Sequence, residues 1–342
     1  MSYSIFQFIS LMICSFIPLL LVAIAGMVTE RGGVTNVGLE GTMVGGAFVG
    51  ILVMNFMVES FGVPHSDLYN AGTLLDTLVS NPEAIKALIF IVAMLASMAA
   101  GMILCFIHGF AAIRLRADQT ITATAINIFV PALCLFLTFS LGLGNNVGTY
   151  RLPLDQQLFY IPRIPGCRNI PILGGTYPSF YVGLVVLIVV AILLNKTRFG
   201  LRLKACGENP YAAAAAGISV KNYRYAGVLI SGAIAGMAGF FYASTMTQEF
   251  DMSVIGFGFL GMAVMIFGNW KPGFITLGAL IFSFFQTLGA GYPFLLGDVE
   301  LSFDPTVFYL LPYVITLLVL VFFSKRNHAP AADGIPYDVG HK

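Results

Sequence analysis

The sequence has very little charge. Only 10% of its 342 residues are Asp, Glu, Lys or Arg, whereas 58% are hydrophobic. A soluble protein carries about a quarter charged residues, so this composition excludes an ordinary globular enzyme. The net charge of +1 argues against nucleic-acid binding. Uncharged apolar runs of bilayer-spanning length recur along the chain, and they are too uniform for the alternating strands of an outer-membrane barrel. They predict an all-α polytopic membrane protein.

Patterns that would carry catalysis or bind metal are also missing. The five cysteines form no CxxC pair and no metal-ligand spacing, and the four histidines are dispersed. No GxxxxGK[ST] phosphate loop occurs. We therefore expect a chain that is not an enzyme, that binds no metal or cofactor of its own, and that leaves any ATP and Mg²⁺ to another polypeptide.

The apolar runs predict about nine transmembrane helices in a domain that spans residues 1–326. They are expected near residues 5–28, up to 58, 87–108, 120–143, 180–195, 225–247, 253–270, 274–290 and 306–323. The 37 glycines fit helices that pack backbone to backbone. The polar residues 327–342 are expected to form a disordered tail.

Basic residues fix the expected orientation. Residues 196–224 hold six of the 17 Lys and Arg residues and a single acid, Glu208. Short basic loops face the cytoplasm, so this stretch, Glu30, Arg31 and the C-terminus are placed inside, where Glu30 and Arg31 are expected to be solvated. The loops at 59–86, 144–179 and 291–305, and the N-terminus, are placed outside.

The basic stretch contains the signals of a short helix. Asn209 is suited to cap it, Pro210 to occupy its first position, and Gly217 to end it in a left-handed conformation. Such a helix is too short to be stable alone, so it must rest on the membrane domain or on a partner. Glu208 adds an acid at its positive end and is placed to accept an Arg from a partner. A basic inner loop with an amphipathic turn, common to membrane proteins, is the alternative interpretation.

Two glycine-rich segments predict broken helices in matching places of two pseudo-repeated halves. They begin GLEGTMVGGA at Gly38 and GFLGMAVMIFG at Gly258. Paired interruptions of this kind indicate a transport site near the middle of the membrane. The general glycine richness of membrane helices accounts for the similarity equally well.

Three polar residues lie in or beside apolar runs, namely Asn36, Glu40 and Asn127. A buried acid costs several kcal/mol unless it is paired, so Glu40 is a candidate for the substrate pathway or, alternatively, a cap on a half-helix from its first turn. Asn127 is a pathway candidate or the source of an interhelix hydrogen bond.

Phe257 and Phe259 stand beside glycines and are suited to stack on a planar ring or a sugar face. Because the chain has 30 Phe residues, packing in the core or against lipid is the simpler interpretation of each.

Four segments carry a resemblance to a known family. RFGLRLKACGENPYAAAAAGI resembles the cytoplasmic coupling segment of ATP-binding-cassette importer permeases of the branched-chain amino acid, ribose and nucleoside permease family. ERGGVTNVGLEGTMVGGAF, RLRADQTITATAINIF and IGFGFLGMAVMIFGNWKPGFITLGALIF resemble three further segments of that family. The pattern is most similar to its nucleoside and simple-sugar branch.

The resemblance implies a transport subunit in the bacterial cytoplasmic membrane. Its partners would be a second, longer permease, an ABC ATPase and an extracytoplasmic substrate-binding protein. The residues implied in ATPase coupling are Gly207, Glu208, Asn209, Pro210, Ala212, Ala213 and Gly217. The implied cargo is a nucleoside or a ribose-type sugar, and riboflavin or another ribityl or purine-like compound is the alternative. An ion-coupled secondary transporter is the alternative from a different class, with Glu40 as its only candidate titratable group.

Overall fold

A computed structural model of the chain describes residues 2–60, 82–142, 150–151, 178–247, 249–296, 314 and 329–338. Within them the chain is almost entirely helical, as predicted. The helices are α1 (Ser2–Arg31), α2 (Leu39–Ser60), α3 (Pro82–Gly109), α4 (Gln119–Ser140), α5 (Pro178–Lys196), α6 (Arg198–Glu208), α7 (Pro210–Ala215), α8 (Val220–Met246), α9 (Phe257–Phe267) and α10 (Pro272–Leu296). A π-helical turn, Phe110–Arg114, follows α3.

Seven of the described helical segments are long and apolar enough to cross a membrane. They are Phe8–Arg31, Leu39–Met57, Ala87–Arg114, Gln119–Ser140, Pro178–Lys196, Val220–Met246 and Pro272–Gly289. The predicted helix over residues 253–270 is instead the short helix α9 between irregular segments. The predicted helix over 306–323 lies outside the described residues, apart from position 314.

The predicted outer loops are shorter where the structure describes them. Helix α3 begins at Pro82 and α10 continues to Leu296, so both helices extend into the predicted loops 59–86 and 291–305. Most of the 144–179 loop lies outside the described residues. Its strand β1 (Tyr150–Arg151) pairs antiparallel with β2 (Glu249–Phe250).

Helices α1 and α8 form the centre of the bundle, and most of their residues are buried. Helices α2, α3 and α8 meet through glycines. A side chain at Gly46 would collide with the backbone of Gly236, and one at Gly101 would collide with the backbone of Gly232. The predicted backbone-to-backbone packing is therefore confirmed, and at these two contacts there is no room for even a methyl group.

The C-terminal tail differs from the prediction. Residues 329–338 are not a disordered segment but form a turn that packs on the end of the bundle that carries α6 and α7. The cause is tertiary: the buried Arg224 of α8 donates a hydrogen bond of 3.0 Å to the Ile335 carbonyl, and such a partner cannot be found from the tail's polar composition.

Candidate functional site

Helix α6 forms the first part of the basic stretch and is amphipathic. Thr197 caps it by accepting a hydrogen bond of 3.2 Å from the Gly200 N–H. Leu203 and Cys206 are fully buried on its inner face, and burial raises the pKa of the Cys206 thiol. Lys204 donates to the Asn195 side chain at 2.7 Å, while partial burial lowers the pKa of its ammonium group, as does the charge of Arg31. Helix α6 therefore presents a cationic face and buries an apolar one.

Helix α7 has the ends that the sequence predicted. The Asn209 side chain accepts a hydrogen bond of 3.0 Å from the Ala212 N–H, and Pro210 is the first helical residue. Gly217 follows the helix with φ of +79°, a conformation that favours glycine. The short helix predicted over this stretch is confirmed.

One face of α7 is buried and the other is open. Pro210 and Ala213 are buried, and Ala213 packs with Cys206 in a small apolar cluster. Tyr211 and Ala212 are exposed. The helix thus rests on the membrane domain and leaves an outward surface.

Gly207 and Glu208 lie where α6 meets the end of α1. A side chain at Gly207 would collide with the Arg31 carbonyl oxygen, so glycine is required there for the close approach of two backbones. The Glu208 side chain is 55% exposed, and its Oε1 lies 3.8 Å from the Arg31 guanidinium. The ion partner of Glu208 in the described residues is therefore within the chain, and an Arg from a partner protein stays a prediction.

Glu40 joins the two predicted broken helices. It lies in the first turn of α2, but its carboxylate accepts backbone hydrogen bonds from Gly256 at 2.8 Å and Gly258 at 2.6 Å, at the start of α9. A carboxylate at a helix N-terminus satisfies N–H groups that have no partner within the helix. The capping interpretation of Glu40 therefore has a structural basis, but the capped helix is in the other half of the chain.

The two asparagines hold the segment that leads into α2. Asn127 of α4 accepts from the Gly41 N–H at 2.8 Å and donates to the Val37 carbonyl at 2.9 Å. Asn36 is buried and accepts from the Gly38 N–H at 3.1 Å. Both side chains therefore make structural hydrogen bonds, and Asn127 remains partly exposed.

The two phenylalanines have different surroundings. Phe257 is buried, and its ring centroid lies 4.8 Å from that of Tyr242. Phe259 is 49% exposed. Core packing accounts for Phe257. Phe259 lies on the surface of the chain, next to Gly258, whose N–H donates to Glu40.

Glu30 and Arg31 are placed differently from the prediction that both are solvated. Glu30 is 6% exposed and accepts a hydrogen bond of 2.7 Å from the Trp270 indole N–H. Arg31 donates to the Trp270 carbonyl at 3.0 Å. Trp270 follows Asn269 in a turn where both residues have positive φ, 53° and 50°. The spacing within the sequence gave no signal for this site, because its partners are about 240 residues apart.

Among the described residues, no three His, Cys, Asp or Glu side chains are grouped so that they could hold a metal ion. The arrangement contains fixed hydrogen bonds between helices and an exposed short helix.

The sequence of the chain is similar to those of known transport permeases. Residues 8–320 match the family model described as branched-chain amino acid transport system / permease component. The guanosine ABC transporter permease protein NupQ of Bacillus subtilis is 36% identical over 334 residues, which are 95% of this chain and 94% of that protein. The nucleoside ABC transporter permease protein NupC of Lactococcus lactis is 35% identical over 94% of this chain and 93% of its own length.

A third relative is more distant. The nucleoside ABC transporter permease protein NupB of Lactococcus lactis is 25% identical over 93% of this chain and 80% of its own length. No solved structure matches the chain. The family match covers most of the described membrane helices, and the resemblance found in the four sequence segments is confirmed. The chain belongs to the branched-chain amino acid transport system / permease component family.

Proposed function

We propose that this chain is the permease subunit of an ATP-driven importer of nucleosides. The observation that carries the proposal is its identity of 36% and 35%, over nearly the whole chain, to permeases named for guanosine and for nucleosides. The family supports a transport subunit, and the absence of a phosphate-loop motif from the sequence is consistent with ATP hydrolysis in a partner. ATP and Mg²⁺ are accordingly assigned to that partner.

The proposed contact with the ATPase is the outward face of α7. Tyr211 is 48% exposed, and Ala212 beside it is also exposed. Pro210 and Ala213 anchor the opposite face in the membrane domain. A force applied to α7 would therefore reach α8 and, through Gly207, the end of α1. This placement puts residues 196–224 and the C-terminus in the cytoplasm.

The proposed substrate pathway runs past the meeting point of α2, α4 and α9. Glu40 and Asn127 are partly exposed there and Phe259 is exposed, so these three are the candidates to face cargo. Asn36 and Phe257 are buried and support the surface from behind. The hydrogen bonds of Glu40 and Asn127 cross between helices, so a movement of one helix would change the width and polarity of this surface.

The proposed assembly contains a second, longer permease. NupB and NupC occur in one organism, and both resemble this chain to different degrees. This chain covers 80% of NupB, which is consistent with a longer partner of that type. An extracytoplasmic binding protein would deliver the cargo to the opposite end of the bundle from α7.

Uptake of radiolabelled guanosine tests the proposal. The chain is expressed with its ATPase, second permease and binding protein in a host without nucleoside uptake, and the control omits only this chain. We expect uptake that requires the chain and that unlabelled uridine or adenosine reduces. Competition by ribose or riboflavin instead of nucleosides would overturn the cargo assignment, and uptake that follows an ion gradient without the ATPase would overturn the importer.

A further inference from the structure

The C-terminal strap, which we define as residues 329–338, lies across the coupling segment. The Ala332 N–H donates to the Gly207 carbonyl at 2.9 Å. The Tyr337 ring centroid lies 5.4 Å from that of Tyr211 in α7. The strap therefore touches both ends of the joint between α6 and α7.

Arg224 anchors the middle of the strap. It is 2% exposed and lies four residues after Val220, the first residue of the membrane-spanning helix α8. Its guanidinium donates to the carbonyls of Ile335 at 3.0 Å and Ala332 at 3.5 Å. A buried cation without partners is strongly unfavourable. Because strap carbonyls accept the hydrogen bonds of Arg224, detaching the strap would leave that charge short of acceptors.

The far end of the strap binds the first half of the chain. Asp338 accepts two hydrogen bonds of 2.7 Å from the two terminal nitrogens of Arg116. A bidentate pair of this kind fixes orientation as well as distance. Arg116 stands two residues before Asp118, whose side chain caps α4 by accepting from the Ile121 N–H at 2.9 Å.

We propose that the strap is a mechanical link through which movement of α7 reaches α4 and the segment that enters α2. The route runs from Tyr211 to Tyr337, then from Asp338 to Arg116, and so to α4, whose Asn127 holds Gly41. This inference rests on the proposed function, because it assumes that α7 receives a movement from the ATPase. It adds that coupling to α4 and to the segment that enters α2 depends on residues outside the 196–224 stretch, whereas the end of α1 is contacted directly by Gly207.

The rate at which the Cys206 thiol is chemically labelled reports whether the strap is bound. Cys206 is fully buried in a cluster with Ala213 and Val220, and Tyr337 packs against that cluster. Labelling by a membrane-impermeant maleimide, located by mass spectrometry of the Cys206 peptide, should be slow when the strap is bound and faster when it is released.

The experiment exchanges the two charges of the ion pair. Asp338→Arg and Arg116→Asp each place like charges together, and the double variant restores an opposite pair in reversed order. Arg114→Asp is the matched control, since Arg114 is an exposed Arg two residues before Arg116, at the end of the π-helical turn. Each variant is purified with its partners to measure maleimide labelling and the amount of ATPase bound, and guanosine uptake is measured in cells.

We expect each single exchange to increase Cys206 labelling and to reduce uptake several-fold, with the ATPase still bound. The double exchange should return both values toward those of the Arg114→Asp control. The inference is overturned if labelling does not change, if uptake stays at the control level while labelling rises, or if the double exchange fails to restore uptake. Failure of the proposed function is distinct, because the wild-type chain would then bind no ATPase and import no guanosine.

Discussion

The Glu40 carboxylate accepts a hydrogen bond of 2.6 Å from the Gly258 N–H, so an acid of the first half holds the first turn of a helix in the second half. The same carboxylate also accepts from the Gly256 N–H. The starts of α2 and α9 are consequently joined by two hydrogen bonds to one side chain.

Removing this carboxylate should weaken the joint. Hydrogen bonds to a charged acceptor contribute about 1.5–3 kcal/mol each, so we expect Glu40→Ala to destabilise the protein by at least about 2 kcal/mol. Glu40→Gln keeps one oxygen acceptor, so its stability should lie between that of the wild type and that of Glu40→Ala. Thermal unfolding in detergent measures the effect, and Asp251→Ala, at an exposed acid in the segment before α9, is the control. Equal melting temperatures for Glu40→Ala and Asp251→Ala would contradict the account.

The glycine contact between α2 and α8 predicts a position-specific effect of adding one methyl group. Gly46→Ala should force the helices apart, because the new Cβ meets the Gly236 backbone, and overpacking costs about 1–3 kcal/mol. Gly273→Ala is the matched control within α10, since nothing lies within 4 Å of a Cβ placed there. The control should be neutral or stabilising by less than about 1 kcal/mol. The close-packing account fails if the two variants unfold at the same temperature.

Trp270 allows the buried site at the end of α1 to be observed by fluorescence. It is the single tryptophan of the chain, and it donates to Glu30 at 2.7 Å. Trp270→Phe leaves a buried carboxylate without this donor, at a cost of about 1.5–3 kcal/mol. Glu30→Gln should shift the emission spectrum of Trp270, whereas the exposed variant Asp251→Asn should not. A double-mutant cycle with both Trp270→Phe and Glu30→Gln should give a coupling free energy near 1 kcal/mol or more, and independent effects would refute the contact.

The predictable parts of the structure are those determined by neighbouring residues. Asn209, Pro210 and Gly217 set the ends of α7 within nine positions of sequence, so the cap chemistry alone located the helix. The environments of Glu30 and Arg224 are set by Trp270 and by the strap, which are distant in sequence. An acid next to an Arg after an apolar run looks solvated until the partner that covers it is known. For the same reason the sequence located Glu40 as a cap but not the helix that it caps.

Asp333 gives the strap a pH dependence. Burial raises the pKa of its carboxyl from 3.8 to about 6, against the opposing effects of hydrogen bonds from Thr35 and the Gly334 N–H and of the Arg224 charge. The Asp333 carboxyl therefore holds its proton more tightly when the strap is bound than when it is free. Protonation of Asp333 consequently stabilises the bound strap; this stabilisation is fully present below about pH 4 and is lost as the pH rises through about 6.

Asp333→Asn should remove this dependence. The melting temperature of the wild type should fall relative to that of Asp333→Asn between pH 4 and pH 7, because only the wild type must ionise or release the buried Asp333 carboxyl. A constant difference across this range would show that Asp333 does not titrate on docking.

Copurification tests whether the outward face of α7 binds the proposed ATPase. Tagged permease is solubilised from membranes that contain all proposed subunits, and the ATPase retained per permease is measured. We predict that the wild type and Ala87→Trp, a variant at an exposed alanine of α3, retain the ATPase, and that Ala212→Trp on the exposed face of α7 loses most of it. A wild-type permease that is purified without an ATPase would show that the complex does not form. An Ala212→Trp variant that retains the ATPase in full would show that the outward face of α7 is not the contact.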